Sequence, residues 1–160
     1  MRFDSLQAWL DWQQALHPSE IDLGLARVRT VLEALAPARP RQVLTIGGTN
    51  GKGSVTGMLE AMLRAAGYDV GCFTSPHLLD YNERIRLAGR PVDDAALLEA
   101  FARSDAARGE TSLTFFEWNT LAALLLFGRA RVDVAVLEVG LGGRLDAVNV
   151  LDPDVAAVEH

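Results

Sequence analysis

One stretch limits what this chain can fold into: Val43-Leu44-Thr45-Ile46-Gly47-Gly48-Thr49-Asn50-Gly51-Lys52-Gly53-Ser54. An apolar, strand-forming run stops at a pair of glycines. A loop of Gly, Lys and Ser follows. An amphipathic stretch opens directly afterwards, with Val55, Met58, Leu59, Met62, Leu63 and Ala66 at helical spacing. The order is strand, loop, helix, and such a loop attracts anions. Glycines let backbone N–H groups turn inward, the helix N-terminus adds positive potential, and Lys52 adds a full charge. Ser54 stands where a hydroxyl reaches a phosphate-bound Mg²⁺. The strict pattern GxxxxGK[ST] is not met. Ile46 occupies the place of its first Gly, and Gly53 separates Lys52 from Ser54. A strand–turn–helix without a ligand is the competing reading, but Gly-Lys-Gly-Ser at that place has little structural reason to exist.

The 160 residues suit one domain with a sizeable core. With 49% hydrophobic and 22% charged residues, the chain reads as globular. A formal net charge of −6 argues against nucleic-acid binding through a broad basic face. Cys72, the single cysteine, cannot form an internal disulfide and lies in an apolar run, so a buried thiol is expected. Met1-Arg2-Phe3-Asp4 does not open a signal peptide, and no run approaches the roughly 18 apolar residues of a membrane span. A cytoplasmic protein with small-molecule partners, and neither nucleic acid nor membrane, is the expectation.

Along the chain, Ser5 can cap a first helix that turns Leu6, Trp9, Leu10 and Leu16 inward and ends at His17-Pro18. His17 reads as a surface or capping residue rather than a ligand. Asp22 reads as the N-cap of a second helix carrying Val28, Val31, Leu32 and Leu35. Gly67 suits the C-terminal end of the helix after the loop. Val70-Gly71-Cys72-Phe73 is a second strand and runs into Thr74-Ser75-Pro76-His77. In an open parallel sheet, ligands gather beyond the C-terminal strand ends, so Ser75 and His77 are candidates for phosphate, metal or substrate contact. Turn chemistry alone explains Ser-Pro equally well. Tyr81 to Leu87 reads as a loop and a short strand. Asp93-Asp94 caps a helix with Leu97, Leu98 and Phe101, and residues 103–110 read as a polar turn. Thr114 and Glu117 have capping-box spacing ahead of another helix, which competes with any ligand role for them.

The clearest central strand is Val132 to Val139, almost continuously apolar as a strand covered on both faces should be. Glu138 interrupts it. A carboxylate there is costly to bury, and beside a phosphate loop its natural partner is Mg²⁺, with a plain buried ion pair as the alternative. Gly140-Leu141-Gly142-Gly143 begins another Gly-rich loop, and Val155 to Val158 begins a further strand. The fold expected is α/β, a P-loop-type, doubly wound, mostly parallel sheet with helices on both faces. A sheet of that kind should not stop inside a strand, so a truncated domain is expected. Glu159-His160 also suits the start of an affinity tag, in which case neither residue is native.

Five segments together resemble a known family. They are Gly48 to Ser54, Thr74-Ser75-Pro76-His77-Leu78, Asn82-Glu83-Arg84-Ile85, Thr114-Phe115-Phe116-Glu117, and Leu137-Glu138-Val139-Gly140-Leu141-Gly142-Gly143-Arg144-Leu145-Asp146-Ala147. In order and spacing they are similar to folylpolyglutamate synthase and bifunctional dihydrofolate synthase of the Mur ligase superfamily. The similarity runs from Ile21 to Val155. The loop alone points only to the superfamily; the stretch from Leu137 to Ala147 is much more specific.

The resemblance implies an ATP-dependent amide ligase, in which a folate carboxylate becomes an acyl phosphate that L-glutamate attacks. It implies that residues 1–160 are the N-terminal part of the ATP-binding domain, with the rest of it and the C-terminal glutamate-ligase domain absent, and that this piece alone is inactive. By resemblance Thr49, Asn50, Gly51, Lys52, Gly53 and Ser54 hold ATP, and Lys52 and Glu138 are catalytic. Ser54, Ser75 and Glu138 are the implied Mg²⁺ ligands. Glu20, Ile21, Asp22, Leu23, Thr114, Phe115, Phe116, Glu117, Leu145, Asp146 and Ala147 match stretches that contact pteroate. Three features depart from the family. Its third metal residue is a His beyond the last strand here, and His160 comes too early for it. A carbamylated Lys and the nucleotide-base site also lie beyond residue 160. Val148 stands where Thr is usual. A Mur-type ligase for another acceptor and a non-catalytic nucleotide-binding module are the alternatives.

Overall fold

A computed structural model describes residues 2–17 and 22–159. The chain runs through α1 (Leu6–Leu16), α2 (Ala26–Leu35), β1 (Gln42–Gly48), α3 (Lys52–Ala65), β2 (Val70–Phe73), β3 (Ile85–Leu87), β4 (Arg90–Pro91), α4 (Asp94–Arg108), α5 (Phe115–Ala130), β5 (Val134–Glu138) and β6 (Val155–Glu159). Short 3₁₀ turns lie at Tyr81–Arg84 and Ala147–Val150. No described helix is long and apolar enough to cross a membrane.

The sheet has the strand order β4-β3-β2-β5-β1-β6. β2, β5, β1 and β6 are parallel, and β3 and β4 add an antiparallel edge. β5 is central because its residues can be buried on both faces, and all five of them are. Alternation along it sorts the two layers. Val134 and Val136, with Ile46, Val70 and Cys72, face α3 and meet its Val55, Leu59 and Leu63. Ala135 and Leu137 belong to the larger core under α1, α2, α4 and α5. The expected doubly wound, mostly parallel sheet is what forms.

Local signals explain most boundaries. The Ser5 hydroxyl accepts from Ala8 N at the start of α1. Asp93 caps α4 in the same way. The Thr114/Glu117 capping box is complete at the start of α5. Gly67 takes φ +89° just past α3, where a side chain would be strained.

Two expectations are corrected. Asp22 does not cap α2, whose N-cap is Leu25 without a side-chain bond. The Asp22 carboxylate accepts from Arg27 Nη1 at 2.7 Å instead. Residues 103–108 are not a turn, since α4 continues to Arg108 and the turn is confined to residues 109–110. Ser104 is buried on that last part, and Arg108 pairs with Asp105 while lying over the rings of Trp12 and Trp118. Stacking of the guanidinium on two indole rings overrides a polar-looking sequence.

Two helical glycines make opposite predictions. A Cβ at Gly128 on α5 would stand 2.8 Å from the backbone oxygen of Ala38, whereas one at Gly57 on α3 would meet nothing within 4 Å. Gly128→Ala should therefore cost about 1–3 kcal/mol despite the better helix propensity of Ala. Gly57→Ala should gain roughly 0.5–1 kcal/mol. Urea unfolding midpoints check both, and stabilisation by both would show that α5 does not press on the Ala38 connector as described.

Candidate functional site

The strand ends assemble the site. β1 leads into the phosphate-type loop through Gly48 at φ +135°, where a Cβ would fall 2.2 Å from the Glu159 carbonyl oxygen, so no side chain fits. Gly51 at φ +81° is the N-cap of α3, which begins at Lys52 without any acidic residue in its first turn. The first amides of that helix have no partner within the helix and suit an anion. Lys52 Nζ donates to Gly48 O at 2.8 Å, closing the loop across its mouth. Thr49 is less available than its place in the loop suggests, because its amide donates to Glu159 O at 3.2 Å. Thr49, Asn50, Gly51, Gly53 and Ser54 are exposed.

Glu138 lies at the end of β5, opposite Ile46 in register and on the side of the sheet that α3 covers. It is 4% exposed. Its Oε2 accepts from Ser75 N at 3.4 Å. Burial pushes its pKa up, and the Ser75 amide and the charges of Lys52 and Arg86 pull the other way without cancelling it. Among the described residues it makes no salt bridge, so the plain ion pair is not what forms. Ser75 and Glu138 are thus brought together, while no hydrogen bond joins Ser54 to either. No group of three His, Cys, Asp or Glu residues gathers among the described residues. One carboxylate and two hydroxyls are a hard-oxygen set that fits a partly hydrated Mg²⁺ rather than a caged one.

Arg86 fastens the segment before Ser75. Its Nε and Nη2 donate to Glu60 Oε2 on α3 at 3.0 and 2.9 Å, and its Nη1 donates to Thr74 Oγ1 at 3.2 Å. Nη2 also reaches Cys72 Sγ at 3.1 Å. Cys72 is the expected buried thiol, pushed up to about 12, chiefly by burial.

Beside Ser75 a cavity of about 330 Å³ opens. Its walls include Asp22, Leu23, Thr114, Phe115, Phe116, Glu117, Leu145, Asp146 and Ala147, so the segments expected to bind one acceptor converge. Glu20 and Ile21 lie outside the described residues. Several wall residues also hold the wall together. Glu117 accepts from Thr114 N at 2.8 Å and from Arg27 Nη2 at 3.0 Å. Asp146 is 2% exposed. It accepts from Gly140 N, Leu141 N and Val148 N at 3.1, 2.9 and 3.1 Å, so it shapes the second Gly-rich loop. Burial nevertheless raises its pKa.

Sequence reasoning missed Arg84, Gly140 and Leu141 in the wall and Arg27 behind it. Gly140 must lack a side chain because a Cβ there would strike the Phe116 ring at 2.5 Å. Arg84 belongs to the Asn82-Glu83-Arg84-Ile85 segment, whose presence was the available signal. Among the described residues His77 makes no hydrogen bond to the phosphate-type loop or to Glu138; its Nδ1 accepts from Arg84 Nε at 2.8 Å.

A glycine-lysine loop opening a helix, with a buried acid ending the neighbouring parallel strand, is the arrangement of a P-loop-type α/β domain. No family model matches the chain. It is 51% identical over 154 residues to the dihydrofolate synthase/folylpolyglutamate synthase of Escherichia coli K12, an alignment spanning 96% of this chain and 36% of that protein. The E. coli enzyme solved with DHPP and ADP superposes at TM-score 0.95 with 49% identity, covering 97% of this chain and 38% of that one. A bifunctional folylpolyglutamate synthase/dihydrofolate synthase solved with Mn, AMPPNP and L-glutamate gives TM-score 0.92 at 49% identity and the same coverage. The chain belongs to the dihydrofolate synthase/folylpolyglutamate synthase family and spans little more than a third of the length of these relatives.

The buried acid makes a pH prediction. With its pKa raised in the fold, Glu138 keeps its proton to higher pH in the native than in the unfolded chain. Stability is therefore full below the ordinary carboxylate range and falls as pH rises through the raised value. In the absence of divalent metal, Glu138→Gln should melt higher than wild type at neutral pH. The gap should close as the pH drops below 4.5, the ordinary glutamate value. A pH-independent gap would mean that burial of the charge is not the cause.

Proposed function

We propose that this chain is the first part of the ATP-binding domain of an ATP-dependent amide ligase, which adds L-glutamate to dihydropteroate, to folate polyglutamates, or to both. The observation that carries the proposal is the convergence of two sites on one set of strand ends. The loop between β1 and α3 suits nucleotide phosphates, and the cavity of about 330 Å³ beginning at Ser75 suits a flat acceptor. The ligands in the related structures, ADP with DHPP in one and AMPPNP, Mn and L-glutamate in another, support this division of the site.

In this reading, amides at the start of α3 take the phosphates of ATP. Lys52 leaves the Gly48 carbonyl to neutralise charge on the transferring phosphoryl group. Ser54, Ser75 and Glu138 are the residues that would hold Mg²⁺, which when bound offsets phosphate charge. Glu138 is suited to it because, among the described residues, its buried carboxylate has only one long amide bond to satisfy it. Phe115, Phe116, Leu23 and Leu145 give the acceptor apolar surface, and Thr114 and Asp146 give it polar edges. The acceptor carboxylate attacks the γ-phosphorus, ADP leaves, and the acyl phosphate is attacked by the amine of L-glutamate with loss of phosphate. Turnover is assigned to the natural longer protein and not to this stretch alone. A buried reduced thiol suits the cytoplasm.

Phosphate release by the natural full-length protein tests the assignment, using ATP, Mg²⁺ and L-glutamate with dihydropteroate or tetrahydrofolate. Release with both acceptors is the bifunctional result, and release with tetrahydrofolate alone makes it a polyglutamylation enzyme. No release with either, from protein that still binds ATP, would overturn the folate reading. Lys52→Ala should lower kcat/KM for ATP by about 2.7–4 kcal/mol in transition-state terms, the scale of one lost electrostatic donor. An unchanged value would remove Lys52 from the chemistry. Mg²⁺ with ADP should raise the melting temperature of wild type clearly more than that of Glu138→Gln, and equal shifts would take Glu138 out of the metal site.

A further inference from the structure

Every well-shielded arginine of the described chain except one sits on a carboxylate. Arg27 holds Asp22 and Glu117, Arg86 holds Glu60, and Arg108 holds Asp105. Arg84 is only 9% exposed and has no acid. Its one side-chain hydrogen bond among the described residues runs from Nε to His77 Nδ1. Its guanidinium carbon lies 5.7 Å from the centre of the Tyr81 ring and 5.6 Å from that of Phe115. Aromatic faces attract the cation without neutralising it. Burial lowers the pKa of Arg84, whereas Arg86, also partly buried, is raised by its hydrogen bond to Glu60.

Arg84 is also the only basic residue among the described residues lining the cavity. The acids there are already engaged: Asp22 and Glu117 by Arg27, and Asp146 by three backbone amides. A buried guanidinium with free Nη nitrogens, in a cavity that offers it no free carboxylate, lacks an anion that a ligand can supply. The cavity wall runs from Arg84 to Pro76 and Ser75, the residue bonded to Glu138.

We infer that Arg84 is the counter-ion for the acceptor's carboxylate and sets which end of the acceptor faces Ser75 and Glu138. The inference rests on the acceptor reading of the cavity given above. His77 is a positioning residue. By fixing Nε it leaves the Nη pair as the donors for a ligand, and Tyr81 and Phe115 fix the plane. An acceptor bound the other way round would put its uncharged end against a desolvated cation, so the site selects orientation as well as charge.

Calorimetric titration of the protein with dihydropteroate and with its carboxamide, which has the same shape without the charge, tests this. ADP with Mg²⁺ serves as the control ligand. Wild type should prefer the acid to the amide. Arg84→Gln should weaken the acid by roughly 10–100-fold, the worth of a charge-assisted hydrogen bond, and leave the amide and ADP within about threefold. Arg84→Lys, which keeps the charge, should retain part of the preference, and it tests the point even where the Gln variant does not fold. Equal losses for acid and amide, or no loss for either, would overturn the assignment and reduce Arg84 to a packing residue. Wild type that binds both compounds without preferring the acid would overturn the inference and leave the acceptor reading intact. Wild type that binds ADP but neither compound would overturn the acceptor reading itself.

Discussion

Parallel pairing of β2, β5 and β1 is the constraint from which the rest follows. The register sets Ile46 against Glu138 and Phe73 against Leu137, so three strands finish at nearly one level. The chain leaves each at the same edge of the sheet, as the phosphate-type loop after β1, the Ser75 segment after β2 and the second Gly-rich loop after β5. Loops far apart in sequence become neighbours, and bonds such as that from Ser75 N to Glu138 add to what the register sets. A one-residue slip of β5 would reverse its faces and turn Glu138 from the α3 side into the apolar core under α5.

Charges settle into that frame at a cost. Glu138, Glu60 and Arg86 are all shielded on the α3 side of the sheet, yet only Glu60 and Arg86 are paired. The pair ties α3 to β3, and through Thr74 Oγ1 to the segment that carries Ser75. Among the described residues Glu138 has no ion-pair partner, and burial raises its pKa. A fully paired carboxylate would be more comfortable and less able to take a cation. The same contrast recurs across the cavity, where Arg27 is satisfied and Arg84 is not. In each place one charge group is built into the scaffold, and its neighbour is left dependent on a ligand.

The sequence disclosed what is local or periodic. The Gly-Lys-Gly-Ser loop, the Thr114/Glu117 capping box and the apolar run of β5 interrupted by Glu138 each carry their meaning within a few residues. Arg27 was illegible because its significance lies in a partner distant in sequence, Glu117, 90 residues away, and Arg84 because the cavity it lines is walled by segments as far off as Asp22 and Asp146. The far end of α4 was misread because residues 103–110 look polar, whereas Ser104 is buried and Arg108 lies over the indole rings of Trp12 and Trp118. Asp22 looked like a cap because short acids before a helix usually are, yet a guanidinium five residues on outcompeted the backbone for it.

Asp146 and Glu117 show why site and scaffold cannot be separated here. Both line the cavity and both hold its walls, Asp146 by accepting from three backbone amides and Glu117 by accepting from Thr114 N and from Arg27. Replacing either would move the wall as well as remove a contact, so loss of binding on such a change would not distinguish the two roles. Arg84 differs, because among the described residues its side chain makes a single hydrogen bond, to His77, while it is its carbonyl and not its guanidinium that accepts from Thr74 N. A change there removes a charge facing the cavity while the amide-built walls stay in place. For that reason the charge of the ligand, rather than its shape, is the property by which this cavity can be questioned.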